Sequence, residues 1–367
     1  MKNKVRHVLG ISGGKDSAAL AIYLFQKYPS LDVEYYTCDT GKELDETYEL
    51  IRNLEIYLGK KIVRLQAAGD SHEDPFDHFL KLYGGFLPSS GSRWCTRKLK
   101  LDPFEKWVGD DPVISYVGIR GDENREGYIS KKTNIQSIFP FRQNIWSEDV
   151  VAKLLKNERI PNVLNWYGNT ASDKLERIVE IVSEPLSAKF NQNNKLTALL
   201  ELDTVAFNKV VFDYLKTTGY PLSVLDEFPL LKNKDVLIRN DIFQILRDSG
   251  VGVPKYYEGL PFEFNGSVGV YARSRSGCYF CFFQQKIEWV WLYEQHPEKF
   301  KLAVEYEKDG YTWMQDERLE DLIKPERIAQ IKEEQIKRIE KVNSKKSSYL
   351  IDILAESEVE GCASCFI

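Results

Sequence analysis

The chain has 367 residues, which is long enough for one large hydrophobic core and a smaller second unit. Hydrophobic residues make up 43% and charged residues 29%, as in ordinary soluble globular proteins, and no apolar run approaches the roughly 20 residues of a membrane span. Fifty basic and 55 acidic side chains give a formal net charge of −5, which excludes a protein that coats nucleic acid through overall positive charge but allows a local basic groove.

The first third of the chain alternates predicted strands with predicted helices. The apolar patterns predict strands at 5–11, 32–38, 61–65 and 112–120, and helices at 15–28 and 44–58. The first apolar run passes directly into glycines, which argues against a signal peptide and favours a cytoplasmic protein. The alternation predicts an α/β fold with a parallel sheet, and a ligand is expected at the carboxyl ends of its strands.

The remainder of the chain is predicted to be mainly helical. Ser147 begins a helical pattern that reaches residue 157, and 325–346 form a charged helix that we interpret as a solvated face. We expect four parts, namely a strand-and-helix domain at 1–168, a mainly helical insertion at 169–260, a helical cysteine-containing domain at 261–346 and a tail with a CxxC motif at 347–367.

The segment SGGKDS, residues 12–17, lies between the first predicted strand and the first predicted helix. Gly13 and Gly14 can adopt positive φ and let a ligand oxygen approach the backbone, and N–H groups at a helix start bind anions. Phosphate is therefore the expected ligand. The Walker pattern is excluded, because Lys15 is followed by Asp16 rather than by Ser or Thr. A Gly-Gly turn with ordinary helix capping is the alternative.

Residues 91–107, GSRWCTRKLKLDPFEKW, concentrate basic and aromatic side chains. Such a cluster suits a phosphate backbone or a sulfonucleotide, and a solvated basic helix start is the alternative. The residues concerned are Arg93, Trp94, Arg97, Lys98 and Lys100.

Six cysteines in a chain expected in the cytoplasm indicate thiols, metal ligands or redox groups rather than structural disulfides. Cys278 and Cys281 form a CxxC motif among aromatic residues, which favours an iron–sulfur cluster but does not exclude zinc. One ligand set adds the tail pair Cys362 and Cys365. Another adds Cys95, with the fourth position open or taken by a tail cysteine. The tail pair could instead relay disulfide or persulfide sulfur.

The SGGKDS segment resembles the pyrophosphatase loop of the PP-loop superfamily, whose members bind ATP and cleave it between the α and β phosphates. The resemblance implies a Rossmann-like sheet of the adenine nucleotide alpha-hydrolase type, with helices on both faces and a mainly helical C-terminal part. It also implies that the loop holds the departing pyrophosphate, that Lys15 and Asp16 are catalytic, and that Mg²⁺ lies near Asp16. The loop residues expected to bind ATP are Ser12, Gly13, Gly14, Lys15, Asp16 and Ser17.

Two further strand ends are similar to the PAPS-reductase-like branch of this superfamily. CDTGKE follows the second strand and implies that Asp39, Thr40 and Gly41 lie against the nucleotide. GIRGDENREG follows the fourth strand and implies that Arg120 and Arg125 face the phosphates. A strand-ending turn capped by Asp39, and a charged loop closed by ion pairs, are the respective alternatives.

The segment RWCTRKLK resembles the cysteine-then-basic-pair element of the same branch, which implies a catalytic role for Cys95. It departs from the iron–sulfur reductases, because Trp94 stands where they have the first cysteine of a doubled pair.

Together with SRSGCYFCFFQ, this segment most resembles the DndC and SspD proteins, ATP pyrophosphatases of bacterial DNA phosphorothioation systems. That resemblance implies that ATP adenylylates a DNA backbone phosphate and that sulfur from a cysteine desulfurase partner replaces a non-bridging oxygen. Other proteins of a DNA-modification system are then expected as partners, ATP, Mg²⁺ and a [4Fe–4S] cluster as cofactors, and no membrane. The basic residues expected at the nucleic acid are Arg93, Arg97, Lys98, Lys100, Arg125, Arg273 and Arg275.

Three other functions remain compatible with the sequence. A reductase of adenylyl sulfate or of its 3′-phosphorylated form is disfavoured by the intact ATP loop, because a reductase has no pyrophosphate to hold. RNA thiolation shares the activation step and differs in the acceptor. A non-catalytic nucleotide- and DNA-binding module would use the CxxC pairs only as structural elements.

Overall fold

The computed structural model describes residues 4–69, 71–123 and 130–344. Arg125 and the tail cysteines Cys362 and Cys365, all three singled out from the sequence, lie outside the described residues.

A five-stranded parallel sheet organises the first half of the chain, so the predicted α/β class is confirmed. The strand order is β3-β2-β1-β4-β5, and every neighbouring pair is parallel. The strands are β1 Arg6–Gly10, β2 Val33–Cys38, β3 Ile62–Leu65, β4 Val113–Tyr116 and β5 Ile135–Ile138. The order reverses at β1, which lies between β2 and β4. In open parallel sheets such a reversal opens a crevice at the carboxyl ends of the strands.

Helices cover the sheet and form most of the second half of the described chain. They are α1 Lys15–Lys27, α2 Asp45–Leu58, α3 Pro75–Leu82, α4 Trp94–Thr96, α5 Asp102–Val108, α6 Glu148–Leu154, α7 Ile160–Gly168, α8 Leu175–Ser183, α9 Gln192–Lys216, α10 Arg239–Asp248, α11 Lys286–Gln295, α12 Pro297–Glu305, α13 Leu319–Leu322 and α14 Pro325–Ser344. A π-helical turn, Arg97–Leu101, joins α4 to α5. An antiparallel hairpin of β6 Leu260–Phe264 and β7 Ser267–Tyr271 precedes the CxxC motif.

Some element boundaries differ from the sequence-based expectation, and one strand of the sheet was not predicted. The helix predicted at 147–157 ends at Leu154, and a 3₁₀ turn follows it at Asn157–Arg159. Strand β5 was not predicted, because only two of the four residues in IQSI are apolar, although all four are buried.

Two large hydrophobic cores contain most of the buried apolar side chains of the described residues, and two smaller clusters contain the others. The first joins the sheet and α1 to the insertion, with buried side chains such as Leu20, Ile114 and Phe207. The second joins Trp94 and its neighbours to the segment that contains Phe280. The CxxC segment is thereby packed against the sheet-bearing half. The four-part division of the chain stays a prediction. Among the described residues, no helix combines the length and apolarity needed to cross a membrane.

Candidate functional site

The loop between β1 and α1 requires glycine at position 13, and at position 14, where φ is −96°, it leaves little room for a side chain. Gly13 has φ of +72°, and a Cβ atom there would lie 2.2 Å from Cγ2 of Thr47. A Cβ atom on Gly14 would lie 2.6 Å from Oγ of Ser276. The loop backbone is therefore in close contact with α2 on one side and with the CxxC segment on the other.

Hydroxyl groups fix the conformation of this phosphate loop, residues 12–17. The Ser12 N–H donates to Oγ of Ser17 over 3.2 Å, and Ser17 Oγ in turn donates to the Gly14 carbonyl over 3.2 Å. The predicted loop serines thus order the backbone before any ligand binds.

Buried charges connect the loop to the end of β4. Asp16 lies between two cations, with Oδ2 3.3 Å from Lys15 Nζ and Oδ1 2.9 Å from Arg120 Nη1. Arg120 also contacts Asp122 at 2.8 Å and Glu123 at 3.2 Å. Lys15, Asp16 and Arg120 are all nearly inaccessible to solvent. The two strand ends expected to face phosphates are therefore joined across the crevice.

The ion pairs of Asp16 concern the residue near which Mg²⁺ is expected. Both carboxylate oxygens of Asp16 face cations in this structure, so Asp16 is an ion-pair residue here, and the Mg²⁺ site stays a prediction. Among the described residues, no group of three or more histidine, cysteine or acidic side chains is placed to hold a metal ion.

A segment from the second half of the chain covers the phosphate loop. The Tyr256 hydroxyl donates to the Gly13 carbonyl over 3.0 Å, and the Lys15 N–H donates to the Tyr257 hydroxyl over 3.4 Å. Lys15 Nζ also lies 4.9 Å from the centre of the Tyr257 ring. Sequence reasoning did not find these tyrosines, because no local pattern indicates that a residue 242 positions away contacts Lys15.

The end of β2 forms a compact polar turn. Asp39 Oδ1 accepts hydrogen bonds from the Gly41 N–H at 2.9 Å and from the Tyr48 hydroxyl at 3.0 Å. Gly41 has φ of +76°, and a Cβ atom there would lie 2.9 Å from the Asp74 carboxyl group. Asp39 shapes this turn and does not cap α2, whose N-cap residue is Leu44.

The same turn contacts the CxxC motif through Thr40. Its hydroxyl donates to Glu43 Oε1 over 2.6 Å and lies 3.2 Å from Cys278 Sγ. Desolvation raises the pKa of Glu43 above its usual range. Glu43 was not among the predicted site residues, although it lies within the CDTGKE segment.

Three of the predicted cysteines line one cavity of about 50 Å³. Cys95 comes from α4, whereas Cys278 and Cys281 come from the loop before α11. None of the three is in a disulfide. Burial raises the pKa of the Cys278 thiol, and the charge of Lys100 acts in the opposite direction. Other residues around the cavity are Thr40, Phe76, Lys100, Ser276, Phe280, Phe282, Phe283 and Trp313.

The donor set tests the expected iron–sulfur cluster. A [4Fe–4S] cluster takes four cysteine thiolates. The described residues supply three thiols around an apolar cavity, which suits sulfur chemistry, but they do not form a closed ligand set. With Cys95, Cys278 and Cys281 as ligands, the fourth position of a cluster would be open or taken by a tail cysteine.

The predicted nucleic-acid residues occupy three different environments. Arg93 and Arg275 lie over the Phe283 ring, with guanidinium carbons 5.1 and 5.6 Å from its centre. Arg97 and Lys98 bind Asp102, at 2.6 and 3.0 Å, so their charges are already paired.

Arg273 departs from the expectation of a nucleic-acid contact. It is 1% exposed, and its Nη2 donates to the Cys278 carbonyl over 3.0 Å and to Gln284 Oε1 over 2.9 Å. A side chain buried in this way cannot reach a nucleic-acid backbone, and it instead shapes the CxxC loop.

Comparison with known proteins finds a similarity in the sheet-bearing half of the chain. Residues 6–165 match the family model described as phosphoadenosine phosphosulfate reductase domain. This part of the chain is similar to that domain. The PAPS-reductase-like branch of the PP-loop superfamily, expected from the loop motifs, is thereby supported, and with it a nucleotide-binding, sulfur-related family.

Curated relatives match the chain over similar lengths. An uncharacterized protein, MJ0066, of Methanocaldococcus jannaschii is 33% identical over 42% of this chain and 32% of its own length. The uncharacterized nin region protein ORF290 of Escherichia phage lambda is 30% identical over 32% of this chain and 49% of its own length. The adenosine 5′-phosphosulfate reductase of Allochromatium vinosum is 26% identical over 41% of this chain and 58% of its own length.

The chain therefore spans 32% to 58% of the length of these curated relatives. No solved structure matches it.

Proposed function

We propose that this protein is an ATP pyrophosphatase that adenylylates a backbone phosphate of DNA and then exchanges one of its oxygens for sulfur. One observation carries the proposal, namely that Ser276 lines the cysteine cavity while its hydroxyl lies 3.5 Å from the Ser12 carbonyl of the phosphate loop. A group activated at the loop would therefore be adjacent to the thiols.

The first step uses the phosphate loop. The N–H groups at the start of α1 and the Lys15 ammonium would bind the β and γ phosphates of ATP, because helix N-termini and lysine both stabilise anions. A non-bridging oxygen of the acceptor phosphate attacks the α phosphorus. The bond between the α phosphorus and its bridging oxygen breaks, and pyrophosphate leaves with the electron pair.

The second step uses the cavity thiols. Sulfur from a cysteine desulfurase partner would arrive as a persulfide on Cys95, and its terminal sulfur attacks the acceptor phosphorus as AMP leaves. A second cavity thiol, Cys278 or Cys281, then attacks the Cys95 sulfur and releases the phosphorothioate. The two thiols form a disulfide, which a cellular thiol must reduce. The cluster that the sequence favours would have its fourth position open or taken by a tail cysteine, and neither step above depends on it.

The Allochromatium vinosum relative supports one competing function. An adenylyl sulfate reductase would bind a preformed sulfonucleotide in the same crevice and would cleave no ATP. The loop favours the pyrophosphatase, because its glycines and Lys15 form a site for a departing pyrophosphate that a reductase does not need.

Pyrophosphate release tests the proposal. The wild-type chain, given ATP and DNA, is expected to release pyrophosphate and AMP, and Lys15→Ala is expected to lower this release at least about a hundredfold because a lost charge–phosphate contact costs several kcal/mol. The double variant Cys278→Ser, Cys281→Ser removes both candidate thiols of the second step, and it should preserve pyrophosphate release while abolishing sulfur incorporation from ³⁵S-cysteine and a desulfurase.

Lys27→Ala, at the exposed end of the same helix, is the matched control for Lys15→Ala. Release of ADP instead of AMP, or unchanged release by Lys15→Ala, would refute the loop assignment. Turnover of adenylyl sulfate without ATP would establish the reductase instead.

A further inference from the structure

Two aromatic residues that line the cysteine cavity, and two arginines that contact one of them, take no part in the two chemical steps. Phe282 and Phe283 lie side by side, with ring centres 4.4 Å apart and planes inclined by 38°. Both line the cavity together with Cys281 and are only partly buried. Two adjoining aromatic rings that are partly exposed, with guanidinium groups over one of them, form a group on which a flat ligand can stack.

Two guanidinium groups lie over the Phe283 ring. Arg93 belongs to the cysteine-bearing segment before α4 and is exposed, whereas Arg275 belongs to the strand end before the CxxC motif. Among the described residues, Arg93 makes one hydrogen bond, from its Nε to the Ser90 carbonyl at 3.3 Å, and has no carboxylate partner. Its charge is therefore available to a ligand, unlike the charges of Arg97 and Lys98.

Aromatic rings beside guanidinium groups favour one class of ligand, namely unpaired nucleotides. Aromatic rings next to arginine are the usual platform for unstacked nucleobases, where the ring stacks on the base and the guanidinium contacts the phosphate. Duplex DNA offers its bases only at the groove edges, so a platform for base faces selects a strand whose bases are unpaired. The net charge of −5 of the chain makes broad electrostatic attraction a poor explanation for DNA binding and leaves local contacts to provide it.

We propose that Phe283, Arg93 and Arg275 form a stacking platform for an unpaired base of single-stranded DNA. This inference rests on the proposed function. It specifies that the acceptor phosphate belongs to an unpaired or extruded nucleotide, whose neighbouring base stacks on this group of aromatic rings and guanidinium planes while the phosphate enters toward the thiols.

The test measures binding of oligothymidylate of about 16 nucleotides by fluorescence anisotropy, against a duplex of the same length. The full-length protein should bind the single strand more tightly than the duplex. Phe283→Ala should weaken single-strand binding about ten- to a hundredfold, because one stacked base is lost, and Phe283→Tyr should retain it. A strand that contains 2-aminopurine should show fluorescence quenching with wild type and with Phe283→Tyr only.

Arg93→Gln tests the cationic part of the platform. It should lower the slope of log Kd against log salt by about 0.7 for a single strand, because one phosphate contact is lost. Phe25→Ala on α1 and Arg177→Gln on α8 are matched controls, because both side chains are exposed and belong to other helices.

Each negative outcome has its own meaning. Equal binding of duplex and single strand, or unchanged binding and quenching by Phe283→Ala, overturns the platform. Tighter binding of oligouridylate than of oligothymidylate overturns the choice of DNA in favour of RNA. If the wild type releases pyrophosphate but fails these binding tests, the platform fails and the proposed function stands. If the wild type binds the single strand as expected but releases no pyrophosphate, the platform stands and the proposed function fails.

Discussion

His7 is a titratable side chain placed inside a parallel sheet. It pairs with Val33 of β2 on one side and Ile114 of β4 on the other. Burial lowers its pKa to about 4, and its Nδ1 lies 2.8 Å from the Tyr116 hydroxyl. The folded protein thus favours the neutral ring more than the unfolded chain does, where the pKa of histidine is about 6.5.

This difference predicts a loss of stability in acid. Because the folded-state pKa is depressed, the contribution of His7 is complete above about pH 6.5 and is lost as the pH falls toward 4. The shift corresponds to about 3 kcal/mol at its limit. His7→Gln should therefore lose less Tm than the wild type between pH 7 and pH 4, measured by circular dichroism. His72→Gln, at an exposed histidine, is the control. Parallel Tm curves for wild type and His7→Gln would refute the assignment.

At the same scale, local sequence predicted the residues whose role depends on their immediate neighbours. Gly13, Gly14 and Lys15 could be proposed as site residues because glycines and a lysine at a helix start have a physical meaning on their own. Tyr256 and Ser276 could not, because their part in the site comes from tertiary contacts across more than 240 residues. Arg273 was misplaced for the same reason, since burial is decided by packing and not by residue type.

Among the secondary-structure elements, α2 lies so close to the phosphate loop that Gly13 has no space for a Cβ atom. Gly13 combines φ of +72° with a Cβ position 2.2 Å from Thr47 Cγ2. Gly59, at the end of α2, has a similar φ of +61°, but no atom lies within 4 Å of its Cβ position. Both glycines have a positive φ, but only Gly13 lacks the space for a Cβ atom.

This pair gives a matched prediction. Gly59→Ala should cost about 1 kcal/mol of unfolding free energy, from the backbone alone. Gly13→Ala should cost about 1–3 kcal/mol more, because the methyl group overlaps Thr47. The double variant Gly13→Ala, Thr47→Ser removes the overlapping Cγ2 and should recover most of the difference, as measured by urea unfolding. Equal losses for the two alanine variants would contradict the steric argument.

The elements themselves differ in how well their pattern predicts them. Strands β1 to β4 and helices α1 and α2 follow apolar periodicity, which records burial along a single segment. Strand β5 escaped because its buried Gln136 and Ser137 are polar. Cys95 and the CxxC motif were suggested as one ligand set from residue type, and the structure places them around one cavity through the π-helical turn and the second core.

At the scale of the whole molecule, the candidate site lies between the two hydrophobic cores. The phosphate loop follows strand β1 of the sheet, and the sheet contributes side chains to the first core. Tyr256, Tyr279 and Phe280 belong to the second core. Hydrogen bonds connect the two parts at the Gly13 carbonyl and at Lys42, whose carbonyl accepts from the Tyr279 N–H over 2.9 Å. A ligand at the loop therefore contacts or approaches elements of both cores.

Nucleotide binding should consequently stabilise both halves of the molecule. With α,β-methylene-ATP, which binds without cleavage between the α and β phosphates, hydrogen–deuterium exchange should slow at 10–17 and also at 255–285. Helices α7 and α8 should exchange as before, because they pack in the first core away from the loop. Ligands that bind only the folded state slow exchange in the elements they stabilise, so protection confined to 10–17 would mean that the second core takes no part in nucleotide binding. Protection of both segments would make the tyrosine-bearing segment part of the ATP site and would explain why a phosphate loop and a set of cysteines so far apart in sequence are held together.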